Sequence, residues 1–524
     1  MNLLEKLLER VEHDPDKTAI IDRDGSSISF VNLEREGAKL ATLLEGRGVK
    51  PGDAVLVLVP MGIGLYVTLA AVFRLGAVVM VVDPSAGLAQ IERCCALNPP
   101  RALIGAPIAH ALSLAIPSLR FVPIRISTRG WWPAASPWAT KDRLEPRPMI
   151  EPAVHDTAAL LTFTSGTGGV PKAAMRSHGL LLAQLSALEG LLEPQVNDVD
   201  LATLPIVALT NLAAGMTTVI ADANLRKPGS IQAGPILEQV RRHQITRTAA
   251  SPAFLERLAD HALKHGQTLP SLTRVFSGGG PVFPRTLEKL SRVAPNAKLI
   301  SVYGSTEAEP IAHIAFDELE SGDLEAMKSG RGLLVGRPVP EIDLRILENR
   351  HDQKLEFFNQ AGLDRASLDR ASLGPNRIGE IIVSGAHVLP GYLHGLGDAE
   401  TKIWVEGRVW HRSGDAGQFD DQGRLWLAGR TNARIHDARG EIYPFSVECA
   451  ALEFPGVQRC ALVEHQSKRV LCVKWTTIAQ PENLLEHLNW AQLDEICSVS
   501  SLPVDARHNA KVDLKKLRAM LERG

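Results

Sequence analysis

Short apolar runs alternate with helical stretches along most of this chain, and that alternation constrains the fold more than any other feature. DAVLVLVP (53–60), AVVMVVDP (77–84), ALLTFTS (159–165), LATLPI (201–206), KLISVYGS (298–305) and GEIIVSG (379–385) read as strands. Stretches such as GPILEQVRRHQ (234–244) and SPAFLERLADHALKHG (251–266) read as helices. Strands joined through helices pair in parallel, so α/β layers with largely parallel sheets are expected. After Gly385 the texture changes to short strands and turns, with DDQG (420–423) as a hairpin turn. A chain of 524 residues exceeds one core. The expected boundary lies near Arg430, giving domains 1–430 and 431–524. The exact repeat LDRAS-LDRAS (363–372) reads as a surface loop lengthened by duplication.

Several classes are disfavoured. MNLLEKLLERVEHDP reads as an amphipathic helix and lacks the uncharged core of a secretory leader. The longest apolar stretch (65–84) is broken by Arg74 and Gly76 and reads as helix, turn and strand, so no transmembrane segment is expected. A net charge of −2 gives no electrostatic case for nucleic acid. The six cysteines (94, 95, 449, 460, 472 and 497) form no Cys-x-x-Cys pair, so no zinc site is expected. Their low number suits reduced thiols and a cytoplasmic protein.

One segment points to chemistry. TFTSGTGGVPKAAMRSHG (162–179) follows an apolar strand-like run. Its glycines allow close backbone approach, and successive N–H groups can form a nest for an anion. Ser165 and Thr167 add hydroxyls, and Lys172 adds a mobile positive charge. These parts suit a polyphosphate. The spacing is not that of the Walker loop, because Pro171 precedes the lysine and no hydroxyl follows it.

The pattern [ST]-S-G-[ST]-x-G-x-P-K resembles the phosphate-loop signature of the adenylate-forming superfamily, which includes acyl-CoA synthetases, luciferases and peptide-synthetase adenylation domains. SVYGSTEAEP (301–310), WHRSGDAG (410–417), LAGRTNARI (427–435) and RHNAKVDLKKL (507–517) resemble its further motifs, in the family's order. The resemblance implies a large N-terminal domain of layered α/β subdomains plus a small β-barrel-like subdomain, followed by a small mobile C-terminal α+β domain. It implies the reaction of a carboxylic acid with ATP to give acyl-adenylate and pyrophosphate. Thr164, Ser165, Gly166, Thr167, Gly168, Gly169 and Lys172 would then cradle the β- and γ-phosphates. Glu307 would hold Mg2+, and Thr306 would touch the α-phosphate. Tyr303, followed by Gly304 and Ser305, would stack on adenine opposite a wall of Gly278, Gly279 and Gly280. Asp415 would accept the ribose hydroxyls, with Arg430 beside it. Lys511 would bind the attacking carboxylate and the α-phosphate, and Asn432 would be the hinge. His178 is open between a structural and a ligand role, and Arg176 reads as structural or solvated.

The chain departs from the family pattern at Gly168, Ala173, Asn432 and Glu441. In acyl-CoA synthetases the segment around Glu441 lines the pantetheine tunnel, so a carboxylate there leaves CoA as an open question. PVDARHNAKV and LPIVALTNLAAGMTTVI (204–220) look like the β-lactone synthetases of bacterial olefin biosynthesis, in which the substrate's own 3-hydroxyl displaces AMP. An acyl-CoA synthetase and a carrier-protein-loading enzyme stay as alternatives, as does a non-catalytic nucleotide-binding homologue. Val207, Leu209 and Asn211, with Ala208, Thr210 and Phe283, are the expected acid pocket. Their largely apolar character suits a fatty or 3-hydroxy acid.

Overall fold

The computed structural model of the chain describes residues 1–165, 171–349, 364–503 and 512–522. Contacts gather the chain into two compact units. One comprises Met1–Leu225, Gly234–Ala249 and Leu389–Ala399; the other comprises Arg226–Ala233, Ala250–Val388 and Glu400–Gly524.

The first unit holds two sheets. The strands of one run in the order Ser136–Pro137, Ile124–Ser127, Ala102–Gly105, Ala54–Leu58, Val78–Val81, Ala158–Ser165 and Pro171–Ser177. Every neighbouring pair is parallel except the last. In the other sheet Thr18–Ile21, Thr217–Ile220, Val199–Ala202 and Arg247–Ala250 run parallel, with Ser27–Ser29 antiparallel at the edge. Helices Phe30–Gly46 and Ile63–Arg74 close on each other where Gly37 meets Ala70; a Cβ at Gly37 would lie 2.7 Å from the Ala70 methyl. Phe30, Leu33, Leu40 and Leu44 are fully buried in that core.

Two local expectations need correction. The strand expected over 201–206 ends at Ala202, and Pro205 starts helix Pro205–Ala213. Proline lacks only an N–H that a first helical turn leaves unpaired anyway. The LDRAS repeat is not simply a loop, because helix Arg365–Ala371 runs from the first copy into the second. Asp364 caps it by accepting from Ser367 N at 2.8 Å, and Leu368 is fully buried against Ile382, Ile403 and Trp410. An Asp at an N-cap and a leucine one turn later suffice to fold the repeat onto the core.

In the second unit Arg274–Ser277 pairs in parallel with Lys298–Ser305. An antiparallel series follows: Ala308–Ala315, Leu333–Pro338, Leu425–Arg430, Arg408–Phe419, Gly379–Gly385 and Ile342–Leu347. The DDQG segment joins two of these strands, with Gly423 at φ +72°. Beyond Arg430 lie helix Pro444–Leu452 and a sheet of Val457–His465, Lys468–Trp475 and Glu495–Ser498. Helix Leu514–Leu521 follows. All six cysteines are free thiols. No helix among the described residues is long and apolar enough to cross a membrane.

Glu448, on helix Pro444–Leu452, accepts from Leu462 N at 3.0 Å. Burial pushes its carboxyl up to about 7. A carboxyl raised in the native state contributes full stability below its ordinary pKa of 4.5 and loses it as pH climbs through about 7. Glu448→Gln is therefore expected to match the parent at pH 5 and exceed it by roughly 2 kcal/mol at pH 8. Urea midpoints at the two pH values measure this, and a pH-independent difference would contradict it.

Candidate active site

The first unit carries Lys172 and the acid-pocket candidates of 207–211. The strands on either side of the glycine-rich segment, Ala158–Ser165 and Pro171–Ser177, pair antiparallel. In that pair Thr164 lies opposite Lys172, and Ser165 opposite Pro171. Gly166, Thr167, Gly168 and Gly169 lie outside the described residues. Lys172 is thus held at its backbone by a ladder. Its ammonium sits 5.2 Å from the centroid of the Tyr392 ring, a cation–π contact. Tyr392 is held by a bridge to Ala174 and by Asp398 Oδ1, which accepts from Tyr392 N at 2.8 Å. Gly397, at φ +103°, borders the same ammonium. A Cβ there would lie 2.6 Å from Lys172 Cε and 2.8 Å from Nζ.

Tyr392 and Gly397 were not among the expected site residues. The only signal was the glycine-rich segment GYLHGLG (391–397), far from the lysine in sequence. Gly397→Ala places a methyl on the lysine stem and strains a left-handed backbone. The expected result is a roughly tenfold rise in KM for ATP with KM for the acid unchanged, as for loss of one charged hydrogen bond. Equal rises in both constants would point to general disruption instead.

Helix Pro205–Ala213 places the acid-pocket candidates differently. Val207 is 4% exposed. Asn211 is fully buried, with its Oδ1 3.5 Å from Arg247 Nη2. Arg247 Nε in turn donates to Asp200 Oδ1 at 3.2 Å, an ion pair removed from solvent. Asn211 therefore faces the sheet beneath the helix. Leu209 lies on another face and lines a narrow apolar cleft of about 40 Å³ with Leu4, Leu7, Tyr66 and Phe73. His178 has a structural contact. Its Nδ1 accepts from Leu3 N at 3.0 Å, its ring meets Phe73 edge-on, and burial lowers its pKa to about 4. Arg176 donates to Thr162 Oγ1 at 2.6 Å, across the two strands.

The second unit brings the remaining candidates together. Gly278–Gly280 follow strand Arg274–Ser277, and a Cβ at Gly278 would lie 3.0 Å from Val302 O on the neighbouring strand. That strand ends in Tyr303, Gly304 and Ser305. Ser305 Oγ accepts from Glu307 N at 3.3 Å and Ala308 N at 3.2 Å. This closes a hairpin with Thr306 and Glu307 at its tip, Thr306 exposed. Tyr303 donates its hydroxyl to Asp415 Oδ2 at 2.8 Å. Burial, with the Asp415 carboxylate close by, pushes the phenol well above its ordinary pKa. Arg430 Nε lies 3.2 Å from Asp415 Oδ1, and Arg430 Nη1 donates to Ser413 O at 3.3 Å. Asp415 and Arg430 face each other in the strand register. Asn432 is exposed, two residues beyond that strand. Phe283 packs against Phe445. Glu441 pairs with Arg434 at 2.9 Å. Lys511 lies outside the described residues.

No cluster of three or more His, Cys, Asp or Glu that could hold a metal occurs among the described residues. Glu307 on its open tip is one carboxylate. A hard cation such as Mg2+ commonly takes one or two protein carboxylates and fills its shell with phosphate oxygens and water, so the residue type fits.

Comparison with known proteins gives the family and its relatives. The family model described as AMP-binding enzyme matches residues 7–393. An olefin β-lactone synthetase of Stenotrophomonas maltophilia is 31% identical over 98% of this chain and 97% of its own length. An indoleacetate–CoA ligase of Aromatoleum aromaticum is 28% identical over 90% of this chain and 86% of its own. The structure of the amide bond synthetase McbA from Marinactinospora thermotolerans superposes with a TM-score of 0.81 at 23% identity, covering 99% of both chains.

Proposed function

Because the chain belongs to the AMP-binding enzyme family, we propose that this adenylate-forming ligase acts on an apolar 3-hydroxy acid and closes it to a β-lactone. Its general reaction is ATP-dependent activation of a carboxylic acid as acyl-adenylate, with subsequent transfer or lactonisation of the acyl group. One observation carries the finer reading. The likeness to an olefin β-lactone synthetase runs through nearly the whole of both chains. The motifs PVDARHNAKV and LPIVALTNL support it. Glu441 paired with Arg434 supports it too, because it keeps a carboxylate where a CoA ligase admits pantetheine.

In the first step a carboxylate oxygen attacks the α-phosphorus and pyrophosphate leaves. Lys172 and the backbone of 165–169 would neutralise the β- and γ-phosphates, and Lys511 would align the two anions that must meet. Asp415 and Tyr303 would hold the nucleoside, and Mg2+ on Glu307 would offset phosphate charge. In the second step the 3-hydroxyl oxygen attacks the acyl carbon, gives up its proton, and AMP leaves. Residues 431–524 would form the lobe that carries Lys511, with Asn432 as its hinge, so closure would gate the chemistry.

Acids are to be screened for pyrophosphate release, and products analysed by mass spectrometry with and without CoA. AMP plus a lactone formed without CoA, from 3-hydroxy acids only, is expected. A thioester that needs CoA would make the enzyme an acyl-CoA ligase, and acylation of a carrier protein alone would make it a loading enzyme.

A further inference from the structure

From Arg93 to Lys141 the chain carries six cations and no aspartate or glutamate through 49 residues. The chain as a whole nearly balances, with 57 bases and 59 acids, so this one-sided charge is local. The structure folds much of this segment at one edge of the seven-stranded sheet, as helices Pro107–Ala115 and Pro117–Arg120 and strands Ile124–Ser127 and Ser136–Pro137.

Four large apolar side chains stand out from that edge: Phe121 is 87% exposed, Ile108 81%, Trp131 75% and Leu114 71%. Contacts of their sequence neighbours gather the segment at one corner. The Trp132 ring stacks on His110 of the first helix at 6.2 Å. A Cβ on Gly130 would lie 3.5 Å from Pro107 Cγ at the helix start. Arg120 Nη2 donates to Leu114 O at 3.1 Å at its end. Trp131 and Phe121 therefore flank one helix, with exposed Arg129 and Arg120 beside them. Nearby acids are few and occupied. Glu92 accepts from Ser118 N and Oγ, and Asp24, whose charge Arg129 feels, accepts from Ser26 N and Oγ.

Water alone does not favour such a face, because large apolar patches on soluble proteins mark interaction sites. A protein partner would commonly meet both signs of charge. Exposed Trp, Phe, Ile and Leu flanked by arginine, in a segment that itself holds no carboxylate, instead match the boundary between lipid headgroups and acyl chains. Arginine pairs bidentately with phosphate there. We propose that this corner docks the protein on an anionic lipid surface. Phe121, Ile108, Trp131 and Leu114 enter the headgroup boundary, and Arg120 and Arg129 bind lipid phosphates. The proposal stands apart from the choice of acid, and its test needs no turnover.

The test is flotation of the full-length protein with vesicles of phosphatidylcholine, with or without phosphatidylglycerol. Binding to the anionic vesicles is expected at 0.1 M salt, at least tenfold stronger than to neutral vesicles, and weakened at 0.5 M salt. Arg120→Glu/Arg129→Glu should lower partitioning at least tenfold, and so should Phe121→Ser/Trp131→Ser. Both variants should keep the parent's thermal midpoint and pyrophosphate release, which separates docking from folding and from the reaction. No binding to anionic vesicles overturns the proposal, as does binding that neither variant changes. Concentration-dependent self-association lost in the variants, without vesicle binding, would assign the face to a second copy of the chain.

Discussion

Lys511→Ala is expected to slow acid-dependent pyrophosphate release roughly 10²–10³-fold while ATP binds within about twofold of the parent. The reaction brings a carboxylate against a phosphorus shielded by negative oxygens, so the barrier is largely electrostatic and orientational. An ammonium between the two anions acts where they meet and little on the bound nucleotide alone. Loss of kcat with ATP affinity preserved is the signature of an interaction made in the transition state. The control is close in sequence. Lys516, 71% exposed and paired with Asp513 at 3.2 Å on the helix that follows, should tolerate alanine without effect. Single-turnover assays with saturating acid and ATP, beside nucleotide titration, make the comparison. Normal adenylation by Lys511→Ala removes the lysine from the mechanism and with it the need for a swinging lobe.

The periodicity of apolar runs carried most of the architecture, because parallel strands separated by helices leave a pattern that short windows can read. It failed at LATLPI, where a proline looked like the end of a strand and instead began a helix. It failed again at the LDRAS repeat, where polarity outweighed Leu368, which reaches the core. The candidate site was legible as ordered motifs, but their local geometry was not. Nothing near Lys172 in sequence announces Tyr392 and Gly397, since the contact depends on a segment more than two hundred residues away. Asn211 shows the opposite limit. A polar residue in an apolar helix looked available to a ligand, yet its oxygen faces the buried Arg247. Exposure and direction of a side chain follow from helix phase and neighbours, which composition alone does not resolve.

Asp415→Ala is expected to raise KM for ATP about 100-fold and to lower stability as well. The carboxylate already accepts from Tyr303 and pairs with Arg430, yet an ionised carboxylate has about four acceptor sites. Such an acceptor can also take the ribose hydroxyls. Hydrogen bonds to a charged acceptor contribute roughly 1.5–3 kcal/mol each, so losing the pair accounts for a change of that size. Alanine also strands the Tyr303 hydroxyl without its acceptor, at a cost of about 1–3 kcal/mol of stability. Tyr303→Phe should be milder, below tenfold in KM for ATP, because the ring keeps its face for adenine. In the double variant the orphaned hydroxyl is gone, so the stability loss should be smaller than the sum of the two single losses. Asn at 415 should resemble alanine more than aspartate, because its amide would turn a donor toward either the phenol or the guanidinium. Calorimetric ATP affinity and urea midpoints for the parent and these four variants separate the two effects. ATP binding by Asp415→Ala within threefold of the parent would rule out the ribose role, and would leave Asp415 as a brace for Tyr303 and Arg430 alone.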